Sequence, residues 1–282
     1  MARKGKYSVV KIADQLNHSR ENVLIVDAMN LAFRWKHQGA SRFVDDYIKT
    51  VDSLARSYKC GKIIIAADKG GSTYRREIFP EYKANRKDAY KDDTAAQKEA
   101  SRKFFDEYER VLEACDKRFV LLRYDGVEAD DIAAYIVQQR IHFGFEQVWL
   151  ISSDRDWDLL VGPNVSRFST VTRKEQTLDT WDNPVPPEDY LTFKCLVGDK
   201  GDNIPGIDGV GPKRAAGIIE EFGCIFDICD AIPINGSYKH IQALNANKDQ
   251  LLTNVELMDL VTYSEEAVGK MNCVDIENRI NA

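Results

Sequence analysis

The sequence predicts an α/β protein: a central, mostly parallel sheet flanked by helices, followed by a helical region. Three observations carry this. The apolar runs Val23–Val26, Ile63–Ala67 and Val148–Ile151 are continuous rather than alternating, as in strands buried on both faces. Helical stripes alternate with these runs, the order that crossovers between parallel strands require. After Pro184-Val-Pro-Pro187 the pattern turns mainly helical. A chain of 282 residues holds one large domain or two modest ones.

Residues 1–21 read as a polar extension, 22–185 as the α/β core and 186–282 as the helical region. From 22 to 72 the expected order is strand, helix, strand, the helix carrying Val44, Tyr47, Ile48, Val51, Leu54, Ala55 and Tyr58 at a 3.6-residue spacing. Residues 73–100 interleave Arg75, Arg76, Lys83, Arg86, Lys87 and Lys91 with Tyr74, Phe79, Tyr82 and Tyr90. That segment lacks apolar periodicity and is expected to lie over the core. A helix through Phe104, Tyr108, Val111, Leu112 and Cys115 follows, then a strand over Phe119–Tyr124. The stretch 125–131 opens a helix through Ile132, Tyr135 and Ile136, and a shorter strand is expected around Val165–Phe168. Pro187 suits the first turn of a helix running to Val197, and Pro212 opens another that Gly223 ends.

Composition excludes several classes. The net charge of −6 gives no overall basic footprint, although clustered acids would mask local basic patches. The six cysteines form no C-x-x-C pair and the four histidines are scattered, which disfavours zinc and a disulfide framework. Reduced thiols and a cytoplasmic protein are expected. No apolar stretch approaches the ~20 residues of a membrane span, and the run after the basic start is too short for a signal peptide.

The chemistry lies in acids at strand ends. Val26 runs into Asp27, Ala67 into Asp68, and Ile151 through two serines into Asp154 and Asp156. Ligands collect at the carboxyl ends of parallel strands, and carboxylates gathered there repel each other unless a cation joins them. Glu128, Asp130 and Asp131 at a helix start, with Asp199 and Asp202 three residues apart, extend the set to nine. An all-oxygen set selects magnesium, with manganese as substitute. Its size suggests two ions, the arrangement used for in-line phosphodiester displacement. Each acid taken singly also fits a turn or helix cap, a reading that explains all nine less economically.

A second signal is Asn203-Ile-Pro-Gly-Ile-Asp-Gly-Val-Gly-Pro-Lys-Arg-Ala215. Gly206, Gly209 and Gly211 allow a tight turn with exposed amides, Pro212 starts a helix whose N-terminus suits phosphate, and Lys213 and Arg214 add charge. This run resembles the helix-hairpin-helix that grips DNA backbone without reading bases. The aromatic interleaving of 73–100 likewise suits stacking of single-strand bases beside cations.

Together these motifs resemble the structure-specific 5′ nucleases, especially the phage flap endonucleases (5′–3′ exonucleases), and are similar to the 5′ nuclease domain of bacterial DNA polymerase I. The carriers are Ile25–Leu31, Ala67–Gly70, Pro80–Arg86, Gly126–Asp131, Ser153–Asp158 and Gly198–Pro205. The resemblance implies a PIN-like core in which Asp27, Asp68, Glu128, Asp130 and Asp131 gather around one magnesium. Asp154, Asp156, Asp199 and Asp202 then gather mainly around the other. It further implies a helical arch over 73–100 that passes a 5′ single strand, with Lys83 and Arg86 steering the scissile phosphate. Tyr82 is then a stacking neighbour, Lys69 a phosphate contact, and the hairpin a duplex grip with potassium at its carbonyls. A monomer acting on DNA with 5′ flaps or single-strand/duplex junctions is expected, in the host cytoplasm if phage-encoded. Two alternatives are a PIN-like ribonuclease, which commonly lacks the arch and hairpin, and a non-cleaving DNA-structure-binding protein.

Overall fold

Among the described residues, six strands form one sheet: β1 (Ser19–Asp27), β2 (Cys60–Ala66), β3 (Val120–Leu122), β4 (Gln147–Ile151), β5 (Val165–Phe168) and β6 (Glu175–Gln176). The structure, a computed structural model, describes residues 19–88 and 94–282. The strand order is β3-β2-β1-β4-β5-β6, parallel throughout except for β6. The order reverses direction between β1 and β4, so their carboxyl ends flank the crevice where such sheets bind ligands. The expected extension needs one correction, because Ser19–Glu21 belong to β1; residues 1–18 lie outside the described residues.

Both faces of β1 are buried, as its continuous apolar run predicts. Val23 and Ile25 pack on one side with Ile64, Leu122, Ile132, Ile136 and Leu150. Leu24 and Val26 pack on the other with Leu31, Tyr47, Val51, Ile65 and Tyr108, which is the strand period of two. The first core is closed by a helix, Ala129–Gln138; the second by α1 (Ala28–His37), α2 (Val44–Ser57) and the long Ala95–Asp116 helix. Two helices therefore stand where one was expected between β1 and β2, the first beginning directly at Asp27.

The basic segment contains α3 (Thr73–Ile78) and α4 (Asn85–Asp88). The helix expected around Phe104 is α5 (Ala95–Asp116), begun earlier by a capping box of Thr94 and Gln97. Tyr90 and Lys91 of the expected arch lie outside the described residues. After β3 comes α6 (Ala129–Gln138), and a 3₁₀ turn (Arg155–Leu160) follows β4.

The helical region opens with α7 (Tyr190–Val197), preceded by the 3₁₀ turn Pro187–Asp189. A short antiparallel pair, β7 (Gly198–Asp199) and β8 (Ile204–Pro205), leads to α8 (Pro212–Phe222), α9 (Ile225–Ala231), α10 (Lys239–Ala246), α11 (Lys248–Met258), α12 (Ser264–Val268) and α13 (Lys270–Asn281). Tyr190, Phe193, Leu196, Ile207, Ile218, Leu251 and Val255 share its core. Gly206 meets α7 so closely that a Cβ there would lie 2.1 Å from the Val197 carbonyl oxygen. Gly206→Ala is therefore expected to lower stability by about 1–3 kcal/mol, read as a shifted urea midpoint. An unchanged midpoint would show that the hairpin tolerates a wider approach.

Candidate active site

The acids are held by the elements that deliver them. Asp27 ends β1 and caps α1, accepting from the Asn30 amide at 3.0 Å and from the Ser152 hydroxyl at 2.8 Å. Asp68, just past β2, accepts from the Ala129 amide at 2.6 Å and so docks on the start of α6. Glu128 stands at the N-cap position of that helix. Asp130, in its first turn, accepts from the Trp157 indole N–H at 2.5 Å, which ties α6 to the 3₁₀ turn. Asp154 caps that turn by accepting from the Asp156 amide at 3.0 Å. Behind it, buried Arg167 donates to Asp158 at 2.5 Å and to the Ser152 carbonyl at 3.0 Å. Asp199 accepts from the amides of Gly201 at 2.8 Å and Asp202 at 3.1 Å, which holds its loop in a tight turn.

Cations are threaded through this set. Lys83 Nζ donates to Glu128 at 2.8 Å and lies 3.4 Å from Asp202. Arg86 donates to Asp202 at 2.8 Å. Lys194 on α7, nearly buried, donates to Asp156 and lies 3.3 Å from Asp199. The Tyr82 hydroxyl is 2.9 Å from Glu128 and 3.0 Å from Asp202, bridging the acids of α6 to those of the 198–203 loop.

The electrostatics show where negative charge exceeds its compensation. Burial, with Asp68 and Asp154 nearby and against two hydrogen bonds, raises Asp27 to about 7. Burial also raises Asp68, Asp130, Asp154 and Asp202; Asp154 adds to it at Asp130, and Asp156 at Asp154. At Glu128 burial acts upward, but Lys83 and Arg75 outweigh it and hold the carboxyl below its ordinary value. Lys194 does the same for Asp199.

A stability prediction follows for the metal-free protein. Asp27 binds its proton more tightly folded than unfolded, so its contribution to stability falls as pH rises from 3.8 to about 7. The loss for this group is on the order of 4 kcal/mol over that whole window at about 1.4 kcal/mol per unit. Asp68, Asp130, Asp154 and Asp202, raised likewise, add to it, while Glu128 and Asp199, held below their ordinary values, gain their stabilisation at lower pH. Unfolding midpoints in chelator should therefore be lower at pH 8 than at pH 5, and magnesium at pH 8 should restore them. A midpoint that rises with pH in chelator contradicts this.

Several expected roles change. Asp131 is fully buried and both its oxygens accept from the Arg75 guanidinium at 2.8 Å, so it anchors the group from behind rather than facing it. Arg75 is itself buried, not spread over the surface. Tyr82 is 3% exposed and packs in the helical region's core, so it has no free face for a stacking base. Lys69 is exposed and pairs with Asp125 at 2.9 Å. At the hairpin, Gly209, Gly211, Lys213 and Arg214 are exposed, with Gly209 in the left-handed region at φ +75°; Gly206 instead serves close packing. Sequence reasoning missed Lys194, Trp157 and Ser152. A lone charge inside the apolar Tyr190–Val197 helix was the available signal for Lys194.

Among the described residues, no three Asp, Glu, His or Cys side chains converge tightly enough to cage an ion in this arrangement. The donor set nevertheless fits a hard divalent cation. It is all oxygen, and Asp27, Asp68, Asp130, Asp154 and Asp202 are driven toward protonation by burial and by neighbouring acids, which positive charge relieves.

The sequence matches the 5′–3′ exonuclease N-terminal resolvase-like domain over residues 22–183 and the 5′–3′ exonuclease C-terminal SAM fold over 185–276. It is 44% identical over 255 residues to the flap endonuclease of Escherichia phage T5, covering 89% of this chain and 87% of that one. To DNA polymerase I of Mycobacterium tuberculosis it is 31% identical over 263 residues, 87% of this chain but 28% of the polymerase. A crystal structure of the bacteriophage T5 flap endonuclease in a pseudo-enzyme-product complex with DNA and metal ions superposes with a TM-score of 0.88. That pair is 41% identical, covering 93% of this chain and 100% of the other. The T5 5′-exonuclease with bound zinc gives 0.88 at 42% identity, covering 92% and 98%. With both halves of the chain matched and the acids at the sheet's switch point, the chain belongs to the 5′–3′ exonuclease family, as a phage-type flap endonuclease.

Proposed function

We propose that this enzyme is a magnesium-dependent, structure-specific 5′ nuclease. It hydrolyses DNA phosphodiesters near a 5′ single-strand/duplex junction, as in removal of flaps during replication. The observation that carries the reading is the meeting of acids from β1, β2, α6, the 155–160 turn and the 198–203 loop with Lys83 and Arg86 from the basic segment. Asp27, Asp68, Glu128 and Asp130 would hold one ion, and Asp154, Asp156, Asp199 and Asp202 the other, with Asp131 behind the first group. When bound, two such ions supply an acidified water and charge stabilisation at the attacking and leaving oxygens.

The chain's own groups do the rest. Lys83 stays protonated beside Glu128 and Asp202, despite its burial, and offers a fixed positive charge to the scissile phosphate. Arg86, more exposed, reaches the phosphate from the solvent side. The hairpin at 206–211 and the N-terminus of α8, with Lys213 and Arg214, hold duplex backbone by amide and charge contacts. Potassium at the same turn would share the Gly209 carbonyl with Arg214, which donates to it at 2.6 Å. Water adds across the P–O3′ bond, leaving a 5′-phosphate and a 3′-hydroxyl. The chain is proposed to act as a monomer in the cytoplasm; among the described residues no helix is long and apolar enough to cross a membrane.

The test is a labelled 5′-flap duplex with magnesium, beside single-stranded RNA of the same sequence. Cleavage at the junction with a 3′-hydroxyl on the released strand is expected. Faster turnover of the RNA would favour a ribonuclease. Flap binding in calcium with no cleavage on adding magnesium would leave only a structure-binding protein.

A further inference from the structure

Arg75 joins three elements from a buried position on α3. Its two terminal nitrogens donate to both oxygens of Asp131 at 2.8 Å, and its Nε donates to the Leu257 carbonyl at 2.8 Å. The same guanidinium lies 3.4 Å from the Ser72 hydroxyl and 3.6 Å from Glu128. Only 4% of Arg75 and none of Asp131 is exposed. Leu257 is in the last turn of α11, where carbonyls lack partners within the helix and positive charge is favoured. Asp131 is in the first turn of α6, where negative charge is favoured. One side chain thus satisfies the end of one helix and fixes the start of another.

We infer that Arg75 is a positioning residue that sets the acids of α6 from the helical region, an inference that rests on the reading of those acids as a magnesium site. Asp131 lies in the first turn of α6, directly after Glu128 and Asp130, so clamping its carboxylate from behind sets the rotation of the turn that presents those two acids. The fork is specific to arginine, because a lysine offers a point charge and cannot hold both carboxylate oxygens and the carbonyl at once. Through the Leu257 contact, the region that carries the hairpin is tied to the acids without an intervening loop.

The test is calcium binding to metal-free protein by calorimetry, with calcium as a probe that needs no turnover, beside magnesium-dependent flap cleavage. Arg75→Lys is expected to bind calcium about 10–100-fold more weakly, as losses of groups that orient metal ligands typically do. Its kcat at limiting magnesium should fall while KM for the flap stays near wild type. Wild-type calcium affinity in the folded variant, or a defect confined to KM, overturns the inference. If Arg75→Lys does not unfold cooperatively, the pair Arg75→Met with Asp131→Leu leaves no unpaired buried charge. Weak calcium binding in that folded pair supports the role, and wild-type binding overturns it. A wild type that binds calcium yet cuts no flap is a failure of the functional reading alone; one that binds no calcium overturns both.

Discussion

Asp130→Asn is expected to lower the single-turnover rate of flap cleavage by roughly 10²–10⁴-fold, the several kcal/mol that metal charge contributes to such a transition state. Asparagine keeps the size of the side chain and an oxygen to accept from Trp157, which donates to Asp130 at 2.5 Å. What it removes is negative charge in a place where burial and Asp154 already disfavour it. Metal-free stability should therefore hold or rise while turnover collapses, a combination that simple misfolding cannot produce. Thermal melts in chelator and flap binding in calcium check the first half, and quenched-flow cleavage the second. A variant that cuts at the wild-type rate removes Asp130 from the site.

Lys83→Ala is expected to lower turnover by about 10²–10³-fold, the cost of losing one preorganised charge at a transition state, with a much smaller loss of duplex affinity. Lys83 sits in the left-handed region at φ +56°, held by its amide donating to the Asp202 carbonyl at 2.9 Å. A non-glycine residue in that region costs backbone energy. Here the backbone turn directs the ammonium to Glu128, with Nζ over the Tyr82 ring at 4.8 Å from its centroid. Rates at saturating flap and affinities in calcium separate the two effects. Binding lost with turnover kept would make Lys83 a substrate holder.

Much of this was legible in the sequence for physical reasons. Val23–Val26 is apolar without alternation because both faces of β1 are covered, and the carboxyl end of such a strand is where Asp27 had to appear. The first helix escaped notice because it starts without a linker: Asp27 is both its cap and a site acid. The acids could be listed from spacing, but their partners could not. Tyr82 and Arg75 read as surface residues of a basic segment, yet tertiary contacts bury both, one in the helical region's core and one against Asp131. Burial of a polar side chain depends on groups far away in sequence, here Leu257 and Asp202, and no local period reports it. Asp131 likewise matched the expected motif in position while its oxygens turned to Arg75.

Eight acids, with Asp131 behind them, are proposed to support two-ion hydrolysis at a DNA junction. The most direct measurement is the single-turnover cleavage rate of a saturating 5′-flap substrate as a function of free magnesium. A rate that rises with the second power of magnesium at low concentration and then saturates is expected. A first-power rise to the same plateau, or cleavage that persists in chelator, would contradict it.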